Sequence, residues 1–563
     1  MIRIMSRHAA AAVTRTAAPA VLAVATFLVL ASTRAGWPGW ALLCLTLAAG
    51  WAANHPPELG TDVPARVVLA AGVLAHAAAG PAGGPGAVVP VVVTGGVLLG
   101  LLLSEPLLHR LARPWYHTAH LRVRRPPGAA AVTGGTAWGV NSGAVALAGL
   151  AAVAGAPGWV LALPALAAAG FAGWVLAGGL RRWRTGHRAE LAALTREVRR
   201  HEPRFLLYFS APPGSEYQAR MWLPYLARVG EPFLVVLTER PNLAPVAAAT
   251  TAPVVVCDTF EALDAVVVPT LRAAFYVNNG MKNAHCVRYP RLTHVQLYHG
   301  DSDKAVTASP LNAMFDRIFV AGQAAIDRFA HHGVDIPQEK FRVVGRPQVA
   351  RLEVTDRLAG DLAGDLAGDL AGGATVLYAP TWVGAHTDSG YCSLPIAGPI
   401  ITGLLERGAT VVLRPHPYTE RHRGSAALLR RAEQALARDA ARSGRPHRYG
   451  RAASEPSLFD CMNLADAMIC DVSAVASDFL YTGKPFAITD MVGAGDGFAA
   501  TFPVARAAYV IERDAGNLGA VLADLLGHDP LRAARRQLRA YYLGDFPPDR
   551  YAGTFLTEAR RVL

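Results

Sequence analysis

Acidic side chains are nearly missing from the first 200 residues, which carry 5 of them against 17 arginines. That imbalance equals the whole chain's formal net charge of +12, so the remainder is neutral, with 37 basic and 37 acidic residues. Cysteine is sparse and scattered. Cys44, Cys257, Cys286, Cys392, Cys461 and Cys470 include no C-x-x-C pair, which argues against a zinc site or a disulfide framework and leaves reduced thiols. Charged residues make up only 17%, hydrophobic ones 52%, and the mean hydropathy is +0.25. Those values exclude a disordered chain, a basic nucleic-acid-binding domain and an ordinary soluble protein. What the sequence has instead is long apolar runs, and its 563 residues leave room for several structural units.

A bilayer crossing needs about 20 mostly apolar residues. The first 180 residues offer six such stretches, near 17–33, 37–53, 65–82, 86–104, 134–155 and 158–180. The third is the weakest, because it carries His76 and ends in the Gly/Pro run from Gly80 to Gly86. Arg3 and Arg7 ahead of the first run also fit a signal peptide, a reading that the further runs disfavour. Positive charge is retained on the cytoplasmic side of a membrane. Arg3, Arg7 and Arg15 precede the first run; Arg110, Arg113, Arg122, Arg124 and Arg125 lie between the fourth and fifth; Arg181, Arg182, Arg184 and Arg188 follow the sixth. Six crossings put all three clusters on one side, predicting a multi-pass plasma-membrane protein with both termini and everything after residue 185 in the cytoplasm. The loop Asn54 to Arg66, with Glu58 and Asp62 against one arginine, does not support this. The runs hold almost no ionisable side chains, so residues 1–185 read as an anchor rather than an ion pathway. Residues 186–203 follow as a basic juxtamembrane helix.

From residue 204 the pattern changes to short β-branched or aromatic runs separated by helical stretches, which predicts βαβ units and parallel sheets. Strands are expected at 204–210, 232–238, 253–258, 273–278, 294–299, 317–321 and 341–344. An Ala-Gly-Asp-Leu tetrad then repeats three times from Ala359 to Leu370. It offers no apolar face to bury and reads, over 359–373, as a linker. Strands resume at 375–379, 410–414, 467–471, 485–489 and 507–511, with helices at 425–442 and 531–542. The expected fold class is therefore an α-helical membrane domain followed by two doubly wound α/β domains, 204–358 and 374–563, facing a cleft.

Ligands of such sheets bind beyond the carboxyl ends of the strands. Tyr298-His299-Gly300 ends one strand, Arg414-Pro415-His416-Pro417 another, and Asp471-Val472-Ser473 a third ahead of a helical run. Free N–H groups at a helix start favour phosphate.

These segments, in order, resemble the CDP-glycerol glycerophosphotransferase family, the teichoic-acid primases and polymerases. The likeness covers residues 204–545. It rests on Asn278-Asn279, His299-Gly300-x-x-x-Lys304, Gly345-Arg346-Pro347, Leu377-Tyr378-Ala379-Pro380-Thr381-Trp382, His416-Pro417, and the stretch from Ala465-Asp466 through Asp471-x-Ser473 and Asp478 to Gly483-Lys484-Pro485. The resemblance implies two Rossmann-like domains of the GT-B type, with 204–358 on the acceptor side and 374–563 binding nucleotide. It implies transfer of glycerol phosphate from CDP-glycerol to a hydroxyl of a lipid-linked cell-envelope acceptor with release of CMP. Separately, the residues give no pattern for a metal site, and no cofactor is expected. His299 would be the base. His416, Arg414 and the helix start at Ser473 would hold phosphate, Asp471 and Asp478 would shape that turn, and Lys304, Asn279, Arg346 and Thr381 would contact substrate.

The sequence also departs from the family pattern. Asp301-Ser302-Asp303 replaces the usual Thr-Pro-Leu, placing two carboxylates beside the expected base. Val472 and Ala474 replace a common Tyr and Ser, Gln348 an Arg, and Val383 a charged residue. A related donor such as CDP-ribitol therefore stays open, as do a GT-B glycosyltransferase using a nucleotide sugar and a non-catalytic membrane scaffold. Asp301-x-Asp303 is too short a pattern to indicate a metal. Gly493-x-Gly495-x-Gly497 and Gly483-Lys484 lack the helix and the Ser/Thr that a dinucleotide fingerprint and a P-loop need.

Overall fold

The computed structural model describes residues 20–32, 36–53, 63–79, 88–112, 115–123, 134–181, 187–354, 373–384, 390–527, 529–547 and 550–563. The tetrad repeat lies outside them, as do Arg3, Arg7, Arg15, Arg113, Arg124, Arg125, Arg182 and Arg184. Two compact units result: Met1–Trp115 with Val123–Leu194, and Tyr116–Arg122 with Thr195–Leu563.

The first unit is a set of apolar helices. Three of them, over Val88–Leu108, Gly135–Val153 and Gly158–Leu180, are long and apolar enough to cross a bilayer; Ala20–Ala31 and Val63–Ala79 are apolar but shorter. Gly36–Ala53 is a further helix of 18 residues. Leu43, Leu69, Val73, Leu102, Val145 and Ala148 form the buried interior. A Cβ on Gly149 would stand 2.6 Å from Leu43 and 3.3 Å from Val73, so a glycine there lets the helices approach closely. The structure departs from the sequence reading at Arg66. Expected to close a loop, it lies on the helix Val63–Ala79, buried. Its two terminal nitrogens donate to the two oxygens of Glu105 at 2.7 and 2.6 Å, and Asn141 Nδ2 donates to Glu105 Oε1 at 2.8 Å. A bidentate pair with its own amide donor neutralises charge that helices of this kind otherwise exclude.

The second unit contains two sheets. The first has eight strands in the order β1-β4-β3-β2-β5-β6-β7-β8. These are β1 His117–Ala119, β2 Phe205–Phe209, β3 Phe233–Leu237, β4 Val254–Val256, β5 Ala273–Tyr276, β6 Thr293–Gln296, β7 Arg317–Val320 and β8 Phe341–Val343. From β2 to β8 all pairings are parallel, as apolar runs buried along their whole length require. The strand β1 was not among the expected ones. It pairs antiparallel with β4, His117 opposite Val256, and its His-Thr-Ala has no apolar alternation. The second sheet is parallel throughout, in the order β10-β9-β11-β12-β13, with β9 Thr375–Ala379, β10 Thr410–Leu413, β11 Ala467–Cys470, β12 Phe486–Asp490 and β13 Tyr509–Glu512.

Each sheet is covered by helices. Leu377, Met468 and Phe486 pack one face of the second sheet against Phe479 and Tyr481. Ile469 and Val411 pack the other against Ile400, Leu404, Leu429 and Leu436. The last helix, Tyr551–Arg561, places Ala552, Phe555, Leu556 and Ala559 in the core of the first sheet, beside Trp222 and Phe319. Their i, i+3, i+4, i+7 spacing makes one apolar stripe, which fastens the end of the chain to the first lobe.

Candidate functional site

Side chains from both lobes meet beyond the carboxyl ends of the strands. After β6, Tyr298 takes φ +55°, in the left-handed region that non-glycine residues seldom enter, and its carbonyl accepts from Trp222 Nε1 at 2.5 Å. The sharp bend turns His299 into the cleft, where its Nδ1 lies 2.9 Å from the carbonyl of Val277. A carbonyl only accepts, so Nδ1 carries the proton and Nε2 is left as an unprotonated acceptor.

His416 follows β10, held by its own N–H donating to Pro380 O at 3.1 Å. Its Nδ1 accepts from the backbone N–H of Tyr418, also at 3.1 Å. The proton of the neutral ring is therefore on Nε2, and that nitrogen is a donor. The two imidazoles thus present opposite hydrogen-bonding characters: His299 is an acceptor and His416 a donor. The Tyr217 ring stands edge-on to both, with centroid distances of 6.1 Å to His299 and 6.0 Å to His416. Trp382 stacks on His416 at 6.0 Å and 24°.

Burial pushes His299 down to about 4, the Val277 carbonyl offsetting part of the effect and the Arg346 charge adding to it. Burial, followed by Lys304, His299 and Arg421, lowers His416 to about 3. Both rings are neutral near pH 7.

The other residues singled out from the sequence fall into three groups. The Lys304 side chain makes no ion pair or hydrogen bond among the described residues: its ammonium sits 4.8 Å from the Tyr391 ring centroid, and burial lowers its pKa despite the attraction of Asp471. The Ser473 hydroxyl is buried with no partner among the described residues. It stands at the N-cap of the six-residue helix Ala474–Phe479 without capping it. The remainder are engaged with protein groups. Asp471 accepts from the N–H of Thr381 at 2.6 Å, the N–H of Ser393 at 3.1 Å and Thr489 Oγ1 at 2.7 Å. Arg414 donates to the carbonyls of Ala453 and Pro456. Arg346 joins the lobes by pairing with Asp478 and donating to the carbonyl of His299 at 3.2 Å. Asn279 Oδ1 accepts from Gln296 at 2.9 Å.

The two carboxylates expected beside the base serve packing. Asp301 and Asp303 both pair with buried Arg328, and Asp303 Oδ2 also accepts from Val504 N–H at 2.9 Å and Tyr542 OH at 2.8 Å. A Cβ on Gly300 would lie 2.5 Å from the Cβ of Ala474. That contact accounts for the glycine at 300, because a side chain there would press on Ala474.

Sequence reasoning missed Tyr217, Gln218, Tyr391, Tyr418 and Arg421. Residues 213–217 and 418–421 form a second junction between the lobes, with Ser215 bonded to Tyr418, and Arg421 donating to the Pro213 carbonyl while lying 3.8 Å from the Tyr418 ring centroid. The signal for Tyr217 was available, since the segment follows β2 at the same sheet edge as His299.

Residues 339–491 match the model of the family described as CDP-glycerol:poly(glycerophosphate) glycerophosphotransferase. That span contains Arg346, Thr381, Arg414, His416, Asp471, Ser473 and Asp478 but ends short of His299 on the N-terminal side. Among solved structures, the chain is similar to the wall teichoic acid polymerase TagF, at 11% identity over 68% of this chain and 96% of that one, with a TM-score of 0.37. A glycosyltransferase from Rickettsia africae ESF-5 gives 10% identity, 64% and 98% coverage and a TM-score of 0.41. A putative UDP-N-acetylglucosamine 2-epimerase from Listeria monocytogenes gives 12%, 64% and 97%, and 0.39. No curated protein matches the chain in sequence.

Proposed function

We propose that this chain is a membrane-anchored transferase moving glycerol phosphate, or a related polyol phosphate, from a CDP-alcohol to a hydroxyl of a lipid-linked cell-envelope acceptor, a reading supported by the match of residues 339–491 to the CDP-glycerol:poly(glycerophosphate) glycerophosphotransferase family. The observation that carries this reading is the opposed hydrogen-bonding state of the two imidazoles across the cleft. His299 Nε2 accepts the proton of the acceptor hydroxyl, and the freed oxygen attacks the phosphorus that bears glycerol. The bond from that phosphorus to the oxygen of the cytidylyl phosphate breaks, and CMP leaves with the electron pair. Transfer of this kind depends mainly on positioning and on donors that face the developing charge. His416 Nε2–H and the Lys304 ammonium supply them, and the Ser473 hydroxyl has bonding capacity to spare.

The apolar helices of the first unit support anchoring, and the arginine clusters support a cytoplasmic site and termini. An acceptor carried in the same membrane then meets the site at raised effective concentration. The test is to supply purified full-length protein and membranes with CDP-glycerol, CDP-ribitol and UDP-sugars, and to identify the nucleotide released. CMP is expected, with release reduced on the order of 10²- to 10⁴-fold in His299→Ala and strongly reduced in His416→Ala. Turnover of UDP-sugars alone would sink the proposal.

A further inference from the structure

Tyr217 stands between the two imidazoles, and its hydroxyl can be accounted for bond by bond. The chain of contacts begins at Asn278, whose Nδ2 donates to Gln218 Oε1 at 3.0 Å and to Ser210 O at 3.1 Å, while its Oδ1 accepts from Gly280 N–H at 3.0 Å. With its oxygen taken, Gln218 turns its Nε2 toward Tyr217 and donates to the phenolic oxygen at 3.4 Å. His416 approaches the same oxygen at 3.5 Å, and the N–H of Tyr418 on its Nδ1 makes Nε2 the donor. The phenolic oxygen therefore accepts twice, and its own proton finds no acceptor among the described residues. A half-buried hydroxyl with a proton left over is a donor open to an acceptor from elsewhere. Burial, partly offset by the Gln218 hydrogen bond, raises the Tyr217 pKa, so the proton stays in place.

We propose that Tyr217 is a third catalytic residue, its hydroxyl donating to a non-bridging oxygen of the phosphate transferred between His299 and His416, with Asn278 and Gln218 as positioning residues behind it. This rests on the transferase reading above, which supplies a phosphate at that place. It gives Asn278 a role distinct from that of its neighbour Asn279: Asn278 is buried and sets the direction of an amide that in turn sets the direction of a phenol. The hydroxyl belongs to the first lobe and the donor ring of His416 to the second; with substrate bound, His416 Nε2–H would turn from the phenolic oxygen to the phosphate, so one phosphate would be gripped from both sides.

The decisive variant is Tyr217→Phe, which keeps the ring edge against both imidazoles and removes only the hydroxyl. In CMP release from CDP-glycerol by the full-length protein, kcat should fall on the order of 10²-fold, the usual cost of losing one preorganised donor. KM should change little and the melting temperature should stay at the wild-type value. Gln218→Glu is the companion: a carboxylate in place of the amide Nε2 would accept the phenolic proton and draw it from the substrate, so kcat should fall with Tyr217 still present. Should Tyr217→Phe fail to fold, this second variant decides alone. Wild-type turnover matched within about twofold by a folded Tyr217→Phe protein overturns the proposal and leaves the transferase reading standing. A wild-type protein that releases no CMP from any CDP-alcohol overturns both.

Discussion

The rings of His299 and His416 are each fixed by one backbone partner, and those two hydrogen bonds leave one ring an acceptor and the other a donor, the division on which the proposed chemistry rests. Both rings are held neutral well below the ordinary imidazole value, at about 4 and about 3. The pH dependence follows. Free-enzyme kcat/KM for CDP-glycerol should be level from neutral pH down to about pH 5 and fall below that as His299 takes up a proton. An acid limb centred near 6.5, the unperturbed imidazole value, would contradict the assignment. The sign for stability is the same. With the folded values below the unfolded one, the unfolded chain binds protons first. The contribution of these rings is therefore complete above about pH 6.5 and declines as pH falls toward 4. The Arg346–Asp478 pair illustrates what residue type alone leaves open. An arginine after Gly345 suggests a substrate contact and an aspartate after Ser473 a residue that shapes the helix start, yet each is the other's partner across 132 positions of sequence.

Single elements carry their own stability devices. The helix Arg423–Ser443 buries Ser425, Ala426, Leu429, Ala432, Leu436 and Asp439 along one stripe and ends at Gly444 with φ +74°. Asp439 is its polar anchor, accepting from Arg445 Nη2 at 2.9 Å, His447 Nε2 at 3.0 Å and Ser443 Oγ at 2.9 Å. His447 in turn accepts the N–H of Val411 in β10. Burial alone would raise the Asp439 carboxyl, but the hydrogen bonds from His447, Arg442, Ser443 and Arg445 outweigh it and hold the group well below the usual carboxylate range. Its contribution is thus present above about pH 4, the unfolded value, and lost as pH falls further. Asp439→Asn should cost about 2 kcal/mol at neutral pH in chemical unfolding followed by the fluorescence of the second lobe, with the gap to wild type closing on acidification. A gap that is unchanged at low pH would show that the carboxylate is not the anchor. Element by element, the strands from β2 to β13 were legible because each is a short apolar run flanked by breakers. The strand β1 was not, because a three-residue edge strand is defined by its neighbour β4.

As a whole molecule the chain joins a neutral α/β unit to an arginine-rich apolar one, and the consequence expected from the proposed anchoring is retention in a bilayer. The full-length protein should stay in the membrane pellet through an alkaline carbonate wash and come out only with detergent; release by carbonate would argue against spanning helices. Length and composition mark three of the apolar helices as long enough to cross. The buried Arg66–Glu105–Asn141 group ties three helices of that unit together at one point, a feature that hydropathy averaging hides because it weighs residues singly.

What the sequence determined by itself was the order of things: apolar runs first, then two sets of parallel strands, with His299, His416 and Ser473 at strand ends. Period and composition are local quantities, and the free energy of burying a run can be read from the run alone. The tertiary structure decided which polar groups spend their hydrogen bonds on each other and which keep bonding capacity to spare. Asp301 and Asp303 are consumed by Arg328, and Arg346 by Asp478, whereas Tyr217 keeps a proton between two histidines. A hydrogen bond is satisfied by whatever lies within about 3 Å, and for a partner more than a hundred residues away only the folded lobes bring it there.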